Sequence, residues 1–158
     1  TGIIMAGRTG AAFAAQLATM QVNEEIDALT TFGISPMEYL VLPRMLALTL
    51  MMPLLCIYSD LMGILGGALV GVGLFDITPT QYFLQTQKAV PLHHFGAGLI
   101  KSLFYGVIVA LSGCLRGLQC GRSASAVGTA ATSAVVTAIT WIVICCAILT
   151  FVFYVIGI

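Results

Sequence analysis

The chain has 158 residues, of which 59% are apolar and 8% charged, and its six basic and six acidic side chains cancel to zero net charge. An ordinary soluble domain carries roughly 25% charged residues, so a solvated globular surface is excluded and the chain reads as all or part of a membrane protein. The neutral balance also removes the electrostatic footprint that nucleic-acid binding requires.

The opening Thr1-Gly2-Ile3-Ile4-Met5-Ala6-Gly7 has no charged start and no cleavage site of the kind a signal peptide shows. Residues 1–20 are expected to be the end of a preceding membrane segment, with an N-terminal part of the natural protein lying upstream. The small residues from Gly7 to Ala15 suit close helix packing better than contact with lipid. Gly7-Arg8-Thr9-Gly10 lacks the glycine spacing and the Lys-Ser/Thr ending of a phosphate loop. Arg8 either neutralises phosphates at the cytoplasmic surface or anchors the helix end there, and the habit of interfacial arginines favours the anchor.

Residues 21–38 have the pattern of a short helix with marked ends. Asn23 is placed to cap it, Glu24, Glu25 and Asp27 sit in a first turn where the helix dipole favours acids, and Gly33 with Pro36 marks the stop. Val22, Ile26 and Leu29 form an apolar stripe beside the acids. Such a helix either lies on its own protein or presents Ile26 and Leu29 to a groove on another subunit.

Three stretches are long and apolar enough to span a bilayer: residues 45–75, 95–115 and 134–156. The first is longer than the hydrocarbon core, so it either projects or bends, with Pro53 and Gly66-Gly67 as candidate points. Gly63, Gly67 and Gly71 form two overlapping GxxxG steps, a candidate seam for another membrane helix. Residues 76–94 form the polar segment at one end, where Asp76, Thr78-Pro79, Gln81, Tyr82 and Gln85 suggest a short capped helix able to meet a periplasmic partner. Residues 116–125 form the loop at the other end. Arg44, Arg116 and Arg122, joined by Arg8, face a single opposing Lys88, so the arginine-rich ends are expected inside and the C-terminus outside.

Two charges stand within apolar spans. Lys101 would cost at least roughly 2.5–3.5 kcal/mol at the centre of a membrane helix, so it snorkels to the interface or finds a partner. Counted from Arg44 and Arg116, Asp60 and Lys101 reach similar depth, and the two are expected to pair or to share one polar cavity. His93 and His94 lack a third metal ligand nearby and read as interfacial, and Trp141 is deep enough to pack between helices. The five cysteines form no CxxC and sit mostly in apolar runs, so they read as small hydrophobes and neither a metal site nor a catalytic set is expected.

The run from Ala6 to Leu29, AGRTGAAFAAQLATMQVNEEIDAL, resembles the signature of the MlaE-type permeases, membrane subunits of ABC transporters that move phospholipids between two membranes. Shorter matches follow at Gly33-Ile34-Ser35-Pro36, Tyr39-Leu40-Val41-Leu42-Pro43-Arg44, Pro53-Leu54-Leu55, Gly98-Leu99-Ile100-Lys101-Ser102 and Val127-Gly128 with Ala131-Thr132 and Val135-Val136, so the resemblance covers essentially the whole chain. It implies an all-α integral membrane fold: three transmembrane helices here, a short cytoplasmic coupling helix and a periplasmic helix. It also implies a homodimer in a bacterial inner membrane, bound to a cytoplasmic ABC ATPase, a STAS-domain protein and a periplasmic MCE-domain hexamer. The acidic helix, with Asn23, Glu24, Glu25, Ile26, Asp27 and Leu29, would be the ATPase-coupling element, and Lys101, Asp60 and Arg8 the candidates along the path of a phospholipid. ATP and magnesium would belong to the ATPase, and this chain would perform no covalent chemistry. The chain departs from the family pattern in lacking the upstream arginine-glutamate-leucine-glycine-proline block, in carrying His94 where an acid is common, and in placing Thr129 and Ser133 where arginines often stand. These departures suggest a divergent branch. A secondary ion- or proton-coupled transporter, relaying through Asp60, Lys101 and the histidines, and a non-transporting scaffold are the alternatives.

Overall fold

The computed structural model describes residues 1–74, 78–90 and 92–156, so the capping role expected of Asp76 and the side chain of His93 lie outside the described residues. The elements in order are α1 (Gly2–Met5), a π-helical turn (Ala6–Gly10), α2 (Ala11–Val22), α3 (Glu25–Thr31), a second π turn (Met37–Val41), α4 (Leu42–Leu74), α5 (Pro79–Ala89), α6 (Leu92–Leu118) and α7 (Ala124–Ile156). The fold is all-α, with no strand among the described residues, and three of its helices are long and apolar enough to cross a membrane.

These elements follow from the sequence with informative differences. The junctions around Ala6–Gly10 keep right-handed helical dihedrals, so α1, the π turn and α2 form one rod ending at Asn23. Helix α4 runs unbroken through Pro53 and Gly66-Gly67 for 33 residues, about 50 Å, and thus outreaches a hydrocarbon core of roughly 30 Å. Helix α7 starts ten residues before the apolar run that announces it, and hydroxyls of that extension are satisfied within the helix: Thr129 donates to the Ala126 carbonyl at 2.8 Å and Thr132 to the Thr129 carbonyl at 3.0 Å.

Helix α6 is the hub, packing against α2, α4 and α7. It runs parallel to α2, with Gly2 beside Tyr105, Gly10 beside Gly113 and Ala14 beside Gly117, and antiparallel to α4, whose Leu48, Thr49 and Met52 surround Gly106. Three α6 glycines thus mark its closest approaches, since small residues let backbones meet without the drive of water exclusion. Ala6, Leu48, Met52, Val109, Ala110, Ala138 and Ile142 form the central core, and Leu17, Ile26, Leu40, Val41 and Cys114 a second one toward α3. The Gly63/Gly67/Gly71 seam is used differently from expectation. Gly67 and Gly71 receive the ring of Tyr82 from α5, whose hydroxyl donates to the Ile64 carbonyl at 2.9 Å, while a Cβ at Gly63 would meet open space.

Candidate functional site: a membrane cavity and a polar platform

Helices α4, α6 and α7 and the start of α1 border an open cavity of about 850 Å³ in the half of the bundle away from the arginines. Its wall is largely apolar, with Met52 and Cys56 from α4, Ser102 and Tyr105 from α6, and Ile142, Cys146, Thr150 and Phe151 from α7. Pockets of a few hundred to 1,000 Å³ lined mainly by apolar groups with a few polar ones are the usual build of small-molecule sites.

Lys101 is tied to this wall and not to Asp60. Its Nζ donates to Thr150 Oγ1 at 3.0 Å and lies 5.4 Å from the centre of the Phe153 ring, a hydrogen bond and a cation–π contact that compensate a charge at depth. The expected Asp60–Lys101 pair is absent among the described residues, and the reason is register. Gly106 meets Leu48–Met52, so Asp60 lies opposite the start of α6, where Ile57, Leu61 and Phe95 line one shallow pocket. That level is five or six residues, roughly 8 Å, beyond Lys101, because Arg44 and Arg116 are not level markers. Lys101 is also turned about 140° around α6 from Gly106, the face that meets α4. Asp60 is exposed, and its contact is with Cys56 Sγ at 3.9 Å.

Arg8 is not at a helix end as expected. It sits in the π turn, fourteen residues, roughly 21 Å, before the end of α2, and its side chain is exposed with no hydrogen-bonding or ion-pairing partner among the described residues. Trp141 is 56% exposed, so it faces outward from the chain and not between its own helices.

At the arginine-bearing end, α3 forms a platform. Asn23 ends α2, and Glu24, with φ of 59°, takes the turn into α3, so the N-cap position falls one residue later than expected and Asn23 Nδ2 donates to Glu25 Oε1 at 3.4 Å. Gly33 closes the helix with φ of 76°, as its place in the sequence suggests. The apolar stripe points inward: Ile26 is 6% exposed among Leu17, Leu40, Val41 and Cys114, and Leu29 packs at the edge of the same core. What α3 offers outward is Glu24, Glu25 and Ala28, and beyond them Phe32, Ile34, Met37 and Tyr39, with Phe32 80% exposed. Phe32 is easily passed over in the sequence because it falls off the Val22/Ile26/Leu29 stripe, although an aromatic beside a helix-closing glycine is a usable signal. Asp27 pairs with Arg122 of the α6–α7 loop at 2.9 Å.

A helical bundle built to cross a membrane several times, with an apolar chamber at one end and a polar helix docked at the other, is a multi-pass membrane protein. The chain belongs to the MlaE permease family, whose model, Permease MlaE, matches residues 1–152. It is 42% identical over 135 residues to a probable ABC transporter permease protein of Rickettsia typhi, covering 85% of this chain and 52% of that protein. A probable ABC transporter permease protein of Synechocystis is 42% identical over 139 residues, 88% of this chain and 53% of the relative. The chloroplastic protein TRIGALACTOSYLDIACYLGLYCEROL 1 of Arabidopsis thaliana is 35% identical over 144 residues, 91% of this chain and 41% of the relative. The chain thus spans about half the length of these relatives.

Proposed function

We propose that this chain is part of the permease subunit of an ATP-driven ABC transporter that moves phospholipids or related lipids between the inner and outer membranes of a bacterial envelope. The observation that carries this reading is the apolar cavity of about 850 Å³ with one cation tethered to its wall, in a member of a permease family. Apolar walls suit acyl chains, and the Lys101 ammonium, a compact charge able to leave Thr150, suits a phosphate headgroup. Arg8, exposed and without a partner among the described residues, would serve the same headgroup lower on the path. The name of the chloroplast relative is that of a glycolipid, in line with a lipid cargo.

In this reading the arginine-bearing end is cytoplasmic, α3 lies in a cleft of an ABC ATPase, and α5 faces the periplasm. Ile26 and Leu29 hold α3 to the bundle, so Glu24, Glu25 and the exposed Phe32 make the contact with the ATPase. ATP and magnesium are handled there, and the movement passed to α3 opens and closes the cavity. A homodimer, a STAS-domain protein on the ATPase and an MCE-domain hexamer on the far side complete the assembly. The ion-relay alternative rests on a joined Asp60 and Lys101, which have different neighbours here.

The test is reconstitution of the full-length permease with its ATPase in liposomes, following transfer of labelled phospholipid to acceptor vesicles. Transfer that requires ATP hydrolysis is expected. Movement that follows a proton gradient and ignores ATP would overturn the reading in favour of the secondary transporter.

A further inference from the structure

The Asp27–Arg122 ion pair joins residues 95 apart in the sequence, and it is the one ion pair among the described residues. Asp27 sits in α3, which Ile26 anchors to α2, to the lead-in of α4 and to Cys114 of α6. Arg122 sits in the turn between α6 and α7, one residue before Ser123, whose hydroxyl and carbonyl accept from the Ala126 amide at 3.3 and 3.0 Å and so start α7. The pair therefore links the platform helix to the base of the helix that supplies Ile142, Cys146, Thr150, Phe151 and Tyr154 to the cavity wall.

Its physical character suits a joint more than a brace. The side chains are 65% and 48% exposed, and pairs so exposed add little to stability because water and salt compete for both charges. The bond is nonetheless charge-assisted and directional, with Arg122 Nη2 donating to Asp27 Oδ2 at 2.9 Å. Helix α7 can act as a lever on that joint. Its buried residues Ala130, Ala134, Ala138 and Ile142 all lie in its first nineteen positions, and the cavity-lining residues begin at Ile142 and continue through its far half. A displacement at its base, turned about those contacts, is delivered to the cavity wall.

We propose that the Asp27–Arg122 pair is a latch that passes movement of α3 to α7 and hence to the cavity, and that Arg122 is a positioning residue for transport. This rests on the permease reading above and adds to it the route from the platform to the cavity. The readout is Cys146, a cavity-lining thiol. In the full-length permease–ATPase complex in liposomes, its modification by a methanethiosulfonate reagent is measured by peptide mass spectrometry with and without ATP. Wild type is expected to show an ATP-dependent change in rate, Arg122→Glu to shrink that change about fivefold or more while the complex still assembles, and Arg122→Lys to keep most of it. The charge swap, Asp27→Arg with Arg122→Glu, is expected to recover it. A full ATP response in Arg122→Glu overturns the latch alone, as does an assembled charge swap that stays unresponsive. A wild-type complex with no ATP response overturns the permease reading, and the latch falls with it.

Discussion

Substituting Gly117 by alanine tests the packing on which the bundle rests. A Cβ there would stand 2.7 Å from Leu17 Cβ, 3.0 Å from the Ala14 carbonyl oxygen and 3.2 Å from Ala14 Cα. Two of those three atoms belong to the α2 backbone, so no rotamer change relieves the overlap and α2 must shift as a body. Overpacking of this kind costs roughly 1–3 kcal/mol. Removing a helical glycine returns up to about 1 kcal/mol, leaving a net loss of up to about 2 kcal/mol when that gain is realised in full. Gly63→Ala and Gly66→Ala are the controls, because a Cβ at either meets nothing within 4 Å, and both are expected to be neutral or slightly stabilising. The assay is thermal unfolding of the detergent-solubilised full-length protein, read by thiol modification of Cys114, which is 1% exposed next to the α2–α6 seam. Adding Gly113→Ala, whose Cβ would stand 2.8 Å from the Gly10 carbonyl oxygen, should cost less than the sum of the two, since one shift of α2 relieves both. A Gly117→Ala protein that exposes Cys114 no earlier than the Gly63→Ala protein would refute the seating of α2 on α6.

The remaining predictions concern the two ends and the cavity. Tyr82→Phe removes the bond to the Ile64 carbonyl and is expected to loosen α5 by about 0.5–1 kcal/mol, visible as faster hydrogen exchange confined to Pro79–Ala89. Lys101→Met should leave the thermal midpoint within the range of the controls, since it removes a charge from a span, yet lower ATP-dependent phospholipid transfer about tenfold or more; unchanged transfer would remove Lys101 from the path. Phe32→Ala is expected to weaken co-purification of the ATPase about tenfold without lowering the unfolding temperature, whereas Ile26→Ala should cost roughly 2–5 kcal/mol of stability through the cavity it leaves in the α3 core.

Apolar length makes the three spans legible because runs of membrane length with at most one charge seldom arise in any other setting, and the end of α3 is legible because Gly33 meets a positive φ that only glycine adopts freely. Which way the α3 stripe faces is not legible, since an apolar edge beside acids reads the same whether it meets its own bundle or a partner. The packing glycines show the limit of motif reading. The regular Gly63/Gly67/Gly71 spacing draws attention, yet the tightest backbone contacts are at Gly113 and Gly117, flanking Cys114 and Arg116, with Gly10 and Ala14 opposite. Matching the small residues of α2 against those of α6 would have found that seam. The misplaced Asp60–Lys101 pair has a related cause: residue counts along single helices measure depth only when their starting points are level, and helix packing sets those levels.

The distribution of packing also says which wall of the cavity is free to move. Helix α6 is pinned by glycine contacts on two sides, against α2 at Gly113 and Gly117 and against α4 at Gly106, where any displacement drives backbone into backbone. Helix α7 is held differently. Among the described residues its buried positions end at Ile142, and beyond them its polar ties to α6 are the contact of Cys146 with Tyr105 and the Lys101–Thr150 hydrogen bond beside the Phe153 ring. Within this chain, buried contact therefore holds α6 on two sides and holds α7 only along its first nineteen residues. If the cavity changes volume, the lightly packed wall is the one that can move without driving backbone into backbone. The Lys101–Thr150 hydrogen bond spans that boundary between the firmly packed helix and the lightly packed one, so a movement of α7 away from α6 would have to break it.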